Sequence, residues 1–124
     1  MALFGAREAG SAGERLAARF LKKKGYKPIR RNCRSSMGEI DLVMRDRDEV
    51  VFVEVKTRTS RQWGDPEQAV TRTKQRRISR QAMRFATRHD LRGRPLRFDV
   101  VAVVLADGAR PRITHYPDAF RLSL

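Results

Sequence analysis

Two acids and a lysine stand within strand-like apolar runs: Asp41, Glu54 and Lys56. Glu54 and Lys56 are one residue apart in the run Val50-Val51-Phe52-Val53-Glu54-Val55-Lys56. In a β-strand the side chains alternate between faces, so these two share a face, ~6–7 Å apart along it, while Val53 and Val55 take the other. Asp41 lies in a second strand-like run, Glu39 to Met44, joined to the first by a charged turn from Arg45 to Glu49. Two such runs across a short polar turn predict a β-hairpin. On the first strand Glu39 and Asp41 share a face, and Ile40 and Leu42 the opposite one. A hairpin in register then sets Asp41 beside Glu54 and Lys56.

Two carboxylates on one half-buried patch are costly unless positive charge joins them. Lys56 offsets one of them. A hard divalent cation would offset the other, and Mg²⁺ suits one or two carboxylates completed by water and phosphate oxygens. Such an ion acts as a Lewis acid on a phosphate and activates water, and a neighbouring lysine orients or deprotonates that water and stabilises developing charge. Glu14 is a third candidate. It borders the apolar stripe of an N-terminal helix and can face the sheet, although a capping-box role with Ser11 explains it equally well. Glu39 is the weakest of the acids, because an exposed strand glutamate is common.

The elements that would position these residues follow from pattern. Residues 1–10 read as a loose lead-in. A helix is expected from about Ser11 to Lys24, with Leu16, Ala17, Phe20 and Leu21 as its apolar stripe and Gly25 ending it. Tyr26 to Arg34 reads as a short strand, followed by the hairpin and a polar loop from Thr57 to Asp65. Asp65-Pro66 could begin a helical turn, and Thr71 could cap a longer helix carrying Ile78, Ala82, Phe85 and Ala86 to about His89. Leu96 to Leu105 is a strand apolar enough to be covered on both faces, and Pro111 to Tyr116 a last edge strand. The order helix, strand, strand, strand, helix, strand, strand predicts an α/β protein with a mixed β-sheet of about five strands flanked by helices on both faces. The helix between the third and fourth strands makes a crossover, so those strands can pair in parallel.

The chain of 124 residues fits one domain, 1–124. Its 28 Lys and Arg outnumber 14 Asp and Glu, for a net charge of +14. A field of that sign favours polyanions, nucleic acid above all. The second helix carries Arg72, Arg76, Arg77, Arg80, Arg84 and Arg88, which repel one another unless an anion joins them. Arg76, Arg77 and Arg80 are candidate backbone contacts, as is Lys74, which falls on the Ile78 stripe and can point toward the site. Arg58 and Arg61 lie in the loop past Lys56, where substrate commonly meets a sheet end. Trp63 in the same loop either packs over the core or stacks on an unpaired base. Asp99 is expected to pair with a nearby arginine. A single cysteine, Cys33, allows no intrachain disulfide, and neither it nor His89 or His115 has a partner spaced for zinc. No apolar stretch suits a signal peptide, and the longest apolar run, Val100 to Ala106, is too short to span a bilayer, so a cytoplasmic protein with no membrane partner is expected.

The runs Gly38-Glu39-Ile40-Asp41-Leu42-Val43 and Phe52-Val53-Glu54-Val55-Lys56-Thr57-Arg58 resemble the PD-(D/E)xK nuclease motif, with Ile40 in place of the proline. Together with Gly13-Glu14, Gly25-Tyr26, Asn32, Arg34, Ala69-Val70, Lys74 and Arg97 to Val101, they make the chain resemble the YraN family of endonuclease-like proteins, similar in pattern to Holliday junction resolvases. The resemblance implies a restriction-endonuclease-like core, a single nuclease-like domain, and phosphodiester hydrolysis with Mg²⁺ or Mn²⁺. In that frame Asp41 and Glu54 match the metal-binding acids, Lys56 the catalytic lysine, and Glu14 the helix glutamate that resolvases add to the metal site. The expected function is a metal-dependent endonuclease acting on DNA, branched or structured DNA included. A homodimer is expected for symmetric cutting of a junction. The alternative is a nucleic-acid-binding protein with a nuclease-like fold and little or no turnover. A basic structural protein of a ribonucleoprotein assembly would leave the acids unexplained.

Overall fold

Leu16, Ala17, Phe20 and Leu21 do form one stripe, on helix α1 (Ala6–Lys23), and Ala17 and Leu21 are fully buried. The computed structural model describes residues 6–36, 38–59, 70–91, 93–105 and 108–124. α1 starts ahead of the expected Ser11, so residues 6–10 of the expected lead-in are helical. Ser11 is thus inside the helix and accepts a hydrogen bond from Arg15 Nη1 at 3.2 Å. At the other end Gly25 has φ of 100°. Its N–H donates to Lys22 O at 2.9 Å and that of Tyr26 to Leu21 O at 3.0 Å. These two bonds satisfy carbonyls that a helix end leaves open, and the left-handed residue they need is the glycine.

The strands are β1 (Lys27–Ser35), β2 (Gly38–Asp46), β3 (Glu49–Arg58), β4 (Leu96–Val104) and β5 (Arg112–Phe120), with α2 (Arg72–Arg88) between β3 and β4. The hairpin turn is tighter than expected: Arg45 and Asp46 pair with Val50 and Glu49, leaving Arg47 and Asp48 as the turn. Arg47 takes the left-handed conformation that two-residue hairpins favour, with φ of 57°. β3 also runs further than expected, and the carbonyl of Arg58 accepts Leu105 N–H at 2.7 Å. Thr71 caps α2, accepting Lys74 N–H at 3.2 Å.

The sheet order is β1-β2-β3-β4-β5. β3 and β4 are parallel and the other pairs antiparallel, which makes the mixed α/β sheet anticipated from the order of elements. The arrangement is consistent with a restriction-endonuclease-like core. Strand alternation divides the core into two layers. Leu42, Met44, Val51, Val53, Val101 and Val103 pack with α1, whereas Val43, Val50, Phe52, Phe98 and Val100 pack with Ile78, Ala82 and Phe85 of α2. No helix among the described residues is long and apolar enough to cross a membrane.

Arg97 clamps the turn end of the hairpin. Its Nη1 reaches Asp46 at 2.9 Å and Glu49 at 3.1 Å, its Nε and Nη2 each reach Asp99 at 2.9 Å, and it also donates to the Tyr26 hydroxyl. Asp99, fully buried, also meets His115 Nε2 at 2.7 Å and accepts the Asp118 N–H at 3.0 Å. This is the arginine partner expected for Asp99, and it leaves a buried charge fully compensated.

Candidate functional site

Pairing between β2 and β3 runs from Asp46↔Glu49 to Leu42↔Val53 and ends one step short of Asp41 and Glu54. There a side chain replaces the ladder. Asp41 Oδ2 accepts the Val55 N–H at 2.8 Å, so the strands stay joined while a carboxylate occupies the opening between them. Alternation breaks at the same point. Ile40 packs in the α2 layer and Leu42 in the α1 layer, so the two do not share a face as strict pleating would require. On the neighbouring strand Asn32, flanked by the pairs Arg31↔Leu42 and Cys33↔Ile40, has φ of 51°. This left-handed residue lies directly beside the point where alternation fails.

Glu14 reaches the same opening because α1 sits unusually close to β3. A Cβ on Gly13 would lie 1.9 Å from Thr57 Oγ1, so glycine alone permits the approach. Since α1 begins at Ala6, Glu14 is two turns inside the helix and is not a cap, which removes the competing explanation for it. Glu14, Glu39 and Asp41 each bring a carboxylate oxygen within 4.8 Å of the others. The Asn32 amide, turned so that its nitrogen faces the acids, donates to Glu14 Oε2 at 2.6 Å and to Glu39 Oε1 at 3.2 Å. Arg34 Nε stands 3.7 Å from Glu39 Oε1.

Glu54 and Lys56 do share a face: Lys56 Nζ is 3.4 Å from Glu54 Oε1. Lys74, from the first turn of α2, approaches the same oxygen at 3.7 Å. Three acids therefore cluster at the opening, and the fourth, Glu54, is met by two amines. Burial, then repulsion from Glu54, drives the Asp41 carboxyl up to about 8, against the Val55 hydrogen bond that favours its anion. Burial and then Glu39 raise Glu14 above its ordinary range. Burial, then the adjacent Lys56, lowers Lys74.

All four residues expected to do chemistry, Asp41, Glu54, Lys56 and Glu14, thus border one opening, but not in the expected grouping. Glu39, ranked last among the acids, belongs to the tightest carboxylate cluster, whereas Glu54 lies outside it and engages two lysines. Arg58 is not a loop residue. It is the last residue of β3, half-buried, and its Nε has no partner among the described residues. Arg76, Arg77 and Arg80 are exposed on α2. Arg61 and Trp63, with the Asp65-Pro66 turn, lie outside the described residues. Sequence reasoning assigned no role to Asn32. The usable signal was an amide in a strand of arginines, one strand away from Glu39 and Asp41.

The model of "Uncharacterised protein family UPF0102" matches residues 13–103. The chain is 46% identical to a UPF0102 protein of Myxococcus xanthus over 92% of its own length and 90% of that protein's. It is 47% identical to one of Trichlorobacter lovleyi, over 92% and 91%. A UPF0102 protein of Rhodococcus opacus is 46% identical over 90% and 94%.

Proposed function

The chain belongs to the UPF0102 family, and for it we propose metal-dependent hydrolysis of phosphodiester bonds in DNA, branched or structured DNA included. One observation carries the reading: Glu14, Glu39 and Asp41 converge within 4.8 Å at a break in the sheet, directly beside the Glu54–Lys56 pair. A cluster of acids with an adjacent amine is expensive to assemble and has little value for stability. It suits a site that handles a phosphate.

The donor set is all oxygen, which fits Mg²⁺ or Mn²⁺ and excludes the sulfur and imidazole sets of structural zinc. Asp41 with Glu14, and Glu54 or Glu39 on either side, would hold the ion. When bound, it would supply Lewis-acid stabilisation of the phosphate and a lower pKa for water. The residues of the chain do the rest. The Val55 N–H fixes the Asp41 carboxylate, and the Asn32 amide fixes those of Glu14 and Glu39. Lys56, aligned by Glu54, can hold a water for attack and give charge to the developing phosphorane. Lys74, beside Glu54, would meet a neighbouring phosphate oxygen. Exposed Arg76, Arg77 and Arg80 on α2, with Arg61, are assigned to the DNA backbone, where each contact adds affinity without sequence preference. Half-buried Arg58 at the end of β3 would contact the strand nearest the site. Two copies of the chain would cut a junction symmetrically.

The test is cleavage of linear, single-stranded, flapped and four-way DNA with Mg²⁺, Mn²⁺ or EDTA. Glu54→Ala and Lys56→Ala are run alongside. Cutting that needs metal and falls roughly 10²–10⁴-fold in Lys56→Ala is the expected result. DNA binding without cutting under any condition would leave a binding protein with this fold and refute hydrolysis.

A further inference from the structure

A groove of about 370 Å³ opens between β1 and α2, next to the carboxylate site. The two are contiguous. Asn32 and Arg34 line the groove and also contact Glu14 and Glu39. Arg30 on β1 and Arg84 and Arg88 on α2 complete a cationic rim. Among the described residues lining the groove there is no acid, although Glu39 stands beside Arg34 at its edge. Its volume lies at the lower end of small-ligand pockets.

Gln81 is the unusual residue of the lining. It is only 6% exposed, and neither Nε2 nor Oε1 has a hydrogen-bond partner among the described residues. Its Nε2 fills the space where a Cβ of residue 38 would stand, 2.4 Å from that position, so Gly38 makes room for the amide. A buried amide stripped of water and given no partner is rare in native proteins and calls for a reason. Gln81 also interrupts the apolar stripe of Ile78, Ala82 and Phe85, where an apolar residue would pack without cost. Beside it, His89 stacks on Phe85, with ring centroids 4.0 Å apart and planes inclined by 20°, and His89 itself is exposed.

We propose that this groove holds one unpaired nucleotide of the bound DNA strand, its phosphate among the arginines and its base edge on the Gln81 amide, which turns from beneath Gly38 into the groove to meet it. A guanidinium matches phosphate geometry, a carboxamide offers the paired donor and acceptor that a base edge presents, and an exposed ring is a stacking surface. A base still stacked and paired in a duplex cannot enter a groove of about 370 Å³ and so does not reach Gln81. The groove therefore selects strands with an unpaired nucleotide beside the cut. The identity of the ligand as DNA rests on the function proposed above; the selection itself does not require catalysis.

The experiment is fluorescence anisotropy of the full chain in EDTA, so that no cleavage chemistry takes part. The probes are a blunt duplex, the same duplex with a short single-stranded extension, and that extension with abasic sugars. The extended duplex is expected to bind roughly tenfold tighter than the blunt one, the effect of one base held by stacking and hydrogen bonds. The abasic extension, and Gln81→Leu with the normal extension, should both fall to the blunt level. Gln81→Leu should melt no lower than the parent, since it removes an unsatisfied buried amide. If it fails to fold, Arg88→Ala, exposed at the end of α2, takes its place and should weaken the preference. Equal binding of all three probes, an abasic probe as tight as the normal one, or a full preference in the variants would each overturn the proposal. Lys56→Ala should keep the preference while losing cleavage. Preference without cleavage in the parent would sink the nuclease reading alone, and cleavage without preference the groove alone.

Discussion

Asp41→Asn should make the metal-free protein more stable, and only above a definite pH. The folded chain holds this carboxyl at about 8, first through burial and then through Glu54, against an unfolded value near 4. Because the folded-state value is raised, the protonated form is the one the fold prefers. Its contribution is complete below pH ~4 and drains away as pH rises toward about 8. Four pK units at ~1.4 kcal/mol each set a ceiling on the order of 5 kcal/mol. A neutral asparagine gives Glu14, Glu39 and Glu54 nothing to repel, and with relaxation and water entry easing the parent's penalty, on the order of 2–3 kcal/mol is the expected gain. The amide oxygen of the introduced asparagine can still accept the Val55 N–H, so the strand junction survives. The assay is urea unfolding followed by far-ultraviolet circular dichroism, in EDTA, from pH ~4 to pH ~9. Parent and variant should coincide at the acid end and diverge steadily upward, and Mg²⁺ should close the gap for the parent alone. A variant less stable than the parent at pH ~9, or a difference that does not change with pH, would refute the electrostatic account of the site.

Three further outcomes follow from other parts of the fold. Arg97→Ala should cost about 3 kcal/mol in chemical unfolding, because Asp99 stays buried with only His115 and the Asp118 N–H to hold its charge. Burial raises the Asp99 pKa, but the hydrogen bonds from His115, Arg97 and Asp118 outweigh it and hold the carboxyl below its ordinary value. A depressed pKa gives stability that is present above pH ~4 and lost as pH falls below it, so Asp99→Asn should flatten the acid limb of a stability–pH profile. Gly13→Ala should destabilise by ~1–3 kcal/mol through overpacking on Thr57, and Thr57→Ala should recover part of that loss in the double variant; a lack of recovery in thermal melts would mean the helix is not seated there.

Much of this protein is written in local pattern. The period of Leu16, Ala17, Phe20 and Leu21 specifies α1, Gly25 ends it, Thr71 starts α2, and alternation along Val50 to Lys56 puts Glu54 and Lys56 on one face. The crossover through α2 makes β3 and β4 parallel. These features depend on a few neighbouring residues and on fixed helix and strand periods, so they can be read without knowing what packs where. The start of α1 escaped because nothing in residues 6–10 marks it, and Ser11 offered a false cap. The composition of the site depends on contacts between distant segments. Strand pairing stops at Leu42↔Val53, which turns Asp41 from a ladder residue into a carboxylate between strands. Gly13 against Thr57 delivers Glu14, the Asn32 amide ties Glu39 to it, and Gln81 packs under Gly38. None of these has a sequence period, because each is set by how closely two elements approach, and that distance exists only once the whole sheet and both helices have packed.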